Sequence, residues 1–233
     1  MGARGMARPK GKRRSIGAEA LRRVVGREEF DYVALMNALQ GYARPRDRVT
    51  ALLRQGAIIR VKKGLYVFGA EVRRGPFSLE ILANTIYGPS YLSRQYVLAH
   101  YGLIPEGVTE ITSVSLTRAK RFETPVGRFS YRTVPESAFG IGVDQVDIER
   151  GAFCLMATRE KALADTLYLT RELRLTRARD MRNYLTNFLR IDEEALAALD
   201  RGALEAIAER YDSSRVSLLA ETISLLTKAV PDE

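Results

Sequence analysis

Three stretches near the start of the chain space their apolar residues as one face of a helix does. This pattern predicts helices over residues 18–25, from residue 31 to just before Gly41, and over residues 45–55. Asp31 can cap the second helix, and Gly41 is expected to end it in a left-handed conformation. Pro45 suits the first turn of the third helix and Gly56 its end.

A two-stranded hairpin is predicted directly after the third helix. Residues 58–61 and 65–68 are rich in β-branched and aromatic side chains, and Lys62-Lys63-Gly64 joins them. Gly64 stands where a three-residue hairpin loop needs a positive φ. Two helices joined by a tight turn, followed by a hairpin with lysines at its tip, predict a winged helix-turn-helix.

Beyond residue 75 the pattern becomes that of an α+β domain. Arg73-Arg74-Gly75-Pro76 has the composition of a linker. Two short helices, a small mostly antiparallel sheet and a helical C-terminal layer are expected to follow. The sequence thus predicts a disordered basic tail over 1–15, a winged helix-turn-helix domain over 16–75 and an α+β domain over 76–233. The predicted elements of the second domain are helices over 78–86 and 93–101, strands over 110–117, 128–134, 140–146 and 152–156, and helices over 158–169, 180–189, 192–199, 204–211 and 214–229.

The positive charge of the chain is confined to its first third. Residues 1–76 contain 18 Lys and Arg against 6 Asp and Glu, a net charge of +12, whereas the other 157 residues contain 19 against 22, a net charge of −3. A charge confined to one end indicates which part meets a polyanion. Because duplex DNA presents a dense line of phosphates, we expect this end to bind double-stranded DNA with salt-sensitive affinity.

The candidate DNA-binding residues lie on the third helix and the hairpin. The N-terminal end of the helix is expected to enter the major groove, and Thr50 and Arg54 lie on its outer face, opposite Val49 and Leu52. An arginine there can pair with two guanine acceptors at once. The alternative is a solvated charged face with no ligand. The candidates are Arg44, Arg46, Arg48, Thr50, Arg54, Arg60, Lys62 and Lys63, with auxiliary phosphate contacts from Arg4, Arg8, Lys10, Lys12, Arg13 and Arg14 in the tail.

Asp47 lies on the same outer face, where phosphates would repel it. Two roles remain open for its carboxylate. It either accepts a hydrogen bond from a cytosine amino group or pairs locally with Arg44 or Arg48.

Several separate segments, in order along the chain, resemble the AbiEi family, the antitoxins of type IV abortive-infection toxin–antitoxin systems. The resemblance covers roughly residues 20 to 170. The segments are GPSYLSRQYVLAHYGLIPE (88–106), ITSVSLT (111–117), TPVGRFSYR (124–132) and ATREKALAD (157–165), with LLRQGAIIRVKKGLY (52–66) similar to the winged helix of that family.

This resemblance implies a transcriptional repressor of its own operon that binds inverted repeats in its promoter. It also implies an antitoxin that neutralises a nucleotidyltransferase-like toxin without a stable complex. Neither an enzymatic activity nor a cofactor is expected. Two alternatives stay open: a solitary winged-helix regulator without an antitoxin role, and a DNA-targeted nuclease or nucleotidyltransferase.

The residues that an enzyme would need are sparse. Glu160 and Asp165 lie five positions apart with Lys161 between them, and a surface face is the expected account of all three. Asp144, Asp147 and Glu149 are interpreted as a solvated edge rather than as metal ligands.

Composition narrows the remaining function classes. No stretch near 20 residues is apolar without charges, and the basic N-terminus lacks the apolar run of a signal peptide, so a cytoplasmic protein is expected. A single cysteine, Cys154, excludes an internal disulfide and is expected to be an inert core thiol. His100 is expected to be partly buried, and one cysteine with one histidine argues against a zinc site.

Overall fold

The structure, a computed structural model, describes residues 16–149, 151–170 and 172–229. These residues belong to two compact units that divide between Phe77 and Ser78. Each unit combines helices with one sheet, and the fold class is therefore α+β, as the sequence predicts. The predicted basic tail, residues 1–15, lies outside the described residues.

The N-terminal unit packs three helices against a three-stranded antiparallel sheet. Its strand order is β1-β3-β2. The first of these strands was not predicted, because three residues are too few to show an alternating pattern. The elements are α1 (Ile16–Val24), β1 (Glu29–Asp31), α2 (Tyr32–Leu39), α3 (Pro45–Arg54), β2 (Ile58–Lys62) and β3 (Leu65–Phe68).

The ends of these elements follow local rules with one exception. Asp31 caps α2, since its carboxylate accepts a hydrogen bond of 2.7 Å from the backbone N–H of Ala34. Gly64 has a positive φ of 87°, as predicted, and Gly56, predicted to stand at the end of the third helix, has a φ of 65°. The prediction for Gly41 was wrong: α2 ends through Gln40 in the right-handed conformation. The N–H of Tyr42 closes the turn onto Leu39, so no left-handed residue is required.

The core of the N-terminal unit is a cluster of apolar side chains, and the guanidinium of Arg22 lies against it, 3.7 Å from the centre of the Phe68 ring. Leu21, Leu35, Leu39, Leu52 and Phe68 have no measurable exposure, and they bring α1, α2, α3 and β3 into one cluster. Burying side chains of this size contributes about 1.5–3 kcal/mol each, which fixes α3 against the sheet.

A close backbone contact joins the end of the hairpin to the turn after α3. The N–H of Gly69 donates to the carbonyl of Ala57 at 2.9 Å. A Cβ added at Gly69 would lie 1.7 Å from the carbonyl oxygen of Gly56. Only glycine allows this approach.

The C-terminal unit contains a six-stranded sheet of order β6-β7-β5-β4-β9-β8. Three of its five strand pairings are antiparallel, whereas β4–β9 and β5–β7 are parallel. Strands β4 and β6 were not predicted. The elements of the sheet and of its first helices are α4 (Leu79–Ile86), β4 (Ser90–Leu92), α5 (Arg94–His100), β5 (Glu110–Ser115), β6 (Lys120–Thr124), β7 (Gly127–Thr133), α6 (Glu136–Phe139), β8 (Val143–Glu149) and β9 (Ala152–Ala157).

The strand predicted over residues 140–146 begins later than expected. Gly142 has a φ of 67°, and a Cβ there would lie 2.9 Å from the Cβ of Lys161. The chain therefore turns at Gly142 before β8 begins at Val143.

The chain from Arg159 onward is helical, as predicted, and one predicted helix is interrupted. Residues 180–189 were expected to form a single α-helix, but α8 gives way to a π-helical turn over Tyr184–Phe188, whose two end rings stack with centroids 5.0 Å apart. No helix within the described residues is both long and apolar enough to cross a bilayer. The helices are α7 (Arg159–Leu169), α8 (Ala178–Asn183), α9 (Glu193–Ala197), α10 (Arg201–Tyr211) and α11 (Ser214–Ala229).

Candidate nucleic-acid interface

Helix α3 turns an apolar face to the core and a polar stripe to solvent. Val49 and Leu52 are buried, whereas Arg46, Thr50 and Arg54 are exposed. The last three are spaced four residues apart, so they form one row along the helix. The Thr50 hydroxyl donates to the carbonyl of Arg46 at 3.2 Å, which holds it against its own helix. The arginines at either end of the row keep their guanidinium groups in solvent.

The first turn of α3 carries a weak ion pair. Arg44 precedes the helix as its N-terminal flanking residue, and its guanidinium lies 3.9 Å from the carboxylate of Asp47. Both side chains are largely exposed, at 83% and 74%. Of the two roles open for Asp47, the local one is the one seen. An exposed pair of this kind contributes little free energy, and a phosphate could replace the carboxylate.

Arg48 differs from the other candidates. It is half-buried, its Nε is enclosed without a hydrogen-bond partner among the described residues, and its guanidinium lies over the ring of Tyr42 at 5.6 Å. A cation over an aromatic face is favourable but lacks directional donors. Arg48 therefore packs partly against its own unit, between α3 and the preceding turn.

The hairpin presents its cations along β2 and at the tip of the loop. Arg60 is exposed on β2, and Lys63 is exposed beside Gly64 in the loop, whereas Lys62 is half-buried. Within the described residues, no carboxylate pairs with Arg46, Arg54, Arg60 or Lys63. Their charges are free to interact with a polyanion. The six tail candidates, Arg4 to Arg14, lie outside the described residues.

The second unit contains a charged group that the sequence analysis placed wrongly. Lys161 and Asp165 are completely buried, and Glu160 is 6% exposed. The expectation of a surface face for these three residues was wrong. The Lys161 ammonium lies 2.9 Å from the carboxylate of Asp165, one turn further along α7. Glu160 accepts a hydrogen bond from the backbone N–H of Asp200 at 3.1 Å.

Every polar atom of this buried pair has a partner. The Lys161 ammonium also donates to the carbonyl of Ala138 at 2.7 Å and to the Tyr211 hydroxyl at 2.9 Å. Asp165 accepts from the hydroxyls of Tyr91 at 3.0 Å, of Ser93 at 2.5 Å and of Tyr211. Burial raises the pKa of both tyrosines, and the charge of Asp165 raises it further, so both hydroxyls keep their protons. Burial lowers the pKa of Lys161, and Asp165 opposes this.

The hydrogen bonds of Lys161 and Asp165 join four secondary-structure elements. They connect α7 to β4, to α10 and to the end of α6. Because the pair has no solvent exposure and no unfilled donor, it offers no reactive atom to a substrate. One sequence signal could have revealed the burial of this pair. Lys161 and Asp165 stand among apolar residues of α7 that are all buried, namely Ala162, Leu163, Ala164 and Leu167.

The remaining single residues have simple environments. Cys154 is 2% exposed, and burial raises the pKa of its thiol to about 12, so the prediction of a core thiol is confirmed. His100 is exposed beside the ring of Tyr101, which overturns its expected burial. His100 is the last residue of α5, and its ring lies 5.2 Å from that of Tyr101. In the described residues, no three His, Cys, Asp or Glu side chains are placed to hold a metal ion.

Comparison with known proteins adds no assignment. No protein-family model matches this chain, and no curated protein matches it.

Proposed function

We propose that this chain is a sequence-specific DNA-binding repressor of its own operon, with a winged helix as its N-terminal unit. Helices α2 and α3 would form the helix-turn-helix, and the hairpin β2–β3 would be the wing. The observation that carries the proposal is the row of Arg46, Thr50 and Arg54 on the exposed face of α3. These groups lie outside an apolar core and have no carboxylate partners in the described chain.

The chemistry of this surface fits duplex DNA. A helix is the element that the major groove admits, and an exposed arginine can bond the O6 and N7 of guanine. Arg60 and Lys63, next to the helix in sequence, would contact the phosphate backbone. The weak pair of Arg44 and Asp47 would exchange its carboxylate for a phosphate at little cost.

The DNA-binding proposal predicts that Arg46→Ala combined with Arg54→Ala weakens binding to the promoter of its own gene by at least about tenfold, since each arginine contact is worth about 1–3 kcal/mol. A gel-shift titration with the intergenic DNA upstream of the gene measures this. The slope of log affinity against log salt is expected to become shallower, because fewer counterions are released.

The matched control for this experiment removes two arginines from the other unit. Arg179→Ala with Arg201→Ala takes away the same charge from exposed side chains of α8 and α10. It is expected to retain parental affinity. Equal affinities of the α3 variant and the parent would sink the proposal, and equal losses in both variants would reduce it to non-specific charge attraction.

We further propose that the chain acts as the antitoxin of a nucleotidyltransferase-like toxin, without catalysis of its own. This rests on the resemblance of residues 88–165 to AbiEi antitoxins. The expected result is that co-expression of the full chain restores growth to cells producing a nucleotidyltransferase-like protein encoded next to it. The α3 double variant, with both genes under foreign promoters, should rescue equally. Continued growth arrest with a stably expressed chain would leave a solitary regulator.

A further inference from the structure

Arg94 combines a strained backbone with an unpaired charge. Its φ of 62° lies in the left-handed region, which long side chains rarely adopt. The residue is half-buried, and its Nε is enclosed without a hydrogen-bond partner among the described residues. Since an enclosed charged donor without a partner costs free energy, its retention in this position calls for a physical reason.

The backbone on either side of Arg94 is held in place. Ser93 donates its N–H to the carbonyl of Thr112 at 3.0 Å and accepts the Thr112 hydroxyl at 2.6 Å, while its own hydroxyl binds Asp165. Two residues after Arg94, the N–H of Tyr96 donates to the same Thr112 hydroxyl at 3.1 Å. Position 94 is therefore forced into its conformation by its neighbours, and its side chain is fixed at the start of α5.

The two carboxylates whose charges act on Arg94, those of Asp165 and Glu110, already accept hydrogen bonds from other residues. Asp165 accepts from Lys161 and three hydroxyls, and Glu110 accepts from Nε and Nη2 of Arg121, at 2.8 and 3.0 Å. Burial lowers the pKa of the Arg94 guanidinium, the positive charge of Arg132 lowers it further, and these two acids only partly oppose the shift. Within the described chain, Arg94 has no counterion of its own.

Arg132 lies on the same face of the sheet as the helix that carries Arg94. It is in register with Val114 of β5, which is in register with Tyr91 of β4, and these three positions share one face. The bond from Tyr96 to Thr112, two residues from Val114, places α5 over that face. Arg132 is exposed and makes no ion pair among the described residues. Two guanidinium groups without ion pairs among the described residues thus lie on the same side of the sheet, and Arg132 is near enough for its charge to lower the pKa of Arg94.

We propose that Arg94 and Arg132 bind a phosphate dianion at the sheet face beside α5. The group would be inorganic phosphate or the phosphoryl group of a small phosphomonoester. Each guanidinium group has parallel N–H groups that can donate hydrogen bonds to phosphate oxygens. A phosphoryl group carries a charge of about −1.5 to −2 at pH 7, and the two arginines together carry +2. The site lies in the C-terminal unit and does not depend on DNA binding.

The test measures binding of phosphate to the full chain at constant ionic strength. Sodium phosphate, methyl phosphate and sodium chloride are titrated separately, with the Arg Nε–H resonances of ¹⁵N-labelled protein as the readout. Either phosphate is expected to shift the Arg94 signal and raise the melting temperature, whereas chloride does neither. Tighter binding of methyl phosphate would identify a phosphomonoester as the ligand, and tighter binding of phosphate the free anion.

The variants separate this site from general positive charge. Arg94→Gln and Arg132→Gln are each expected to weaken phosphate binding by about tenfold, as the loss of one charge-assisted contact predicts. Arg128→Gln is the matched control, because Arg128 is exposed on the same strand and face but donates to Thr109 at 3.2 Å. It should bind phosphate as the parent does.

Two outcomes would overturn the proposal. One is an Arg94 resonance that does not respond to either phosphate. The other is an equal loss of affinity in Arg128→Gln and Arg132→Gln, which would indicate diffuse charge rather than a site. Since Arg132 is exposed, its variant is expected to fold, and an unchanged melting temperature in chloride checks this even if Arg94→Gln destabilises the chain.

Discussion

The two units of this chain treat charged side chains differently. The N-terminal unit keeps Arg46, Arg54 and Lys63 in solvent, and even its most shielded pair, Arg22 with Glu28, retains 7% and 13% side-chain exposure beside an apolar core. The C-terminal unit, although nearly neutral in sum, encloses Lys161 and Asp165 completely. The net charge of a unit therefore does not indicate whether its charged side chains are buried. The exposed cations of α3 and the hairpin are available to a ligand, whereas the buried Lys161–Asp165 pair of the second unit holds secondary-structure elements together.

Two aspartates make the contrast concrete. Asp31 is exposed and uses its carboxylate to cap one helix through a single backbone N–H. Asp165 is buried and accepts from one ammonium and three hydroxyls on three different elements. Removing the first should affect one helix end, and removing the second should affect the packing of a whole unit.

The largest expected effect follows the loss of Asp165. Asp165→Leu is expected to lower the free energy of unfolding of the C-terminal unit by about 3–5 kcal/mol, because it leaves the Lys161 ammonium buried without its counterion. Hydrogen–deuterium exchange of amides in α7 and β4 measures this loss for that unit alone, since a single melting curve need not describe a two-unit chain.

The double variant Lys161→Met with Asp165→Leu controls for the loss of packing. It removes both charges at similar volume and is expected to be more stable than Asp165→Leu alone. If the single and double variants exchanged equally fast, the charge would not be the reason for the loss, and the contrast between the two units would be one of packing only.

A smaller effect is expected at Asp31. Asp31→Ala removes the cap of α2 and should destabilise the N-terminal unit by about 1 kcal/mol, with faster amide exchange limited to the first turn of that helix. Asp31→Asn retains an acceptor and serves as the matched control. A loss as large as that of Asp165→Leu would contradict the view that Asp31 acts only on its own helix end.

Much of the architecture could be predicted because it depends on local signals. The hairpin loop required a positive φ at Gly64, and Thr158 and Ser78 cap their helices through side-chain oxygens as their positions suggested. Ser93 precedes a helix in the same way, but its hydroxyl binds Asp165 instead of the helix end. The sequence alone does not distinguish a serine that caps a helix from one that bonds a buried carboxylate, because Asp165 lies 72 positions from Ser93.

The features that escaped prediction depend on tertiary contacts. Strand β1 exists because it pairs with β3, and β4 because β5 and β9 flank it. The spacing of Lys161 and Asp165 favours an exposed face, because a charged pair four residues apart is the ordinary pattern of one, and the only signal of burial in the sequence is the apolar residues around the pair. The exposure of Thr50 and Arg54 on α3 was predicted, whereas the packing of Arg48 against Tyr42 depends on the turn between two helices.

The glycine contact between residues 56 and 69 separates what can vary in the first unit from what cannot. Position 69 has no room even for a methyl group, so the junction of helix and hairpin requires glycine there. Positions 46, 50 and 54 meet no such constraint. Substitutions at these three surface positions can therefore alter what the proposed interface binds and leave the fold intact.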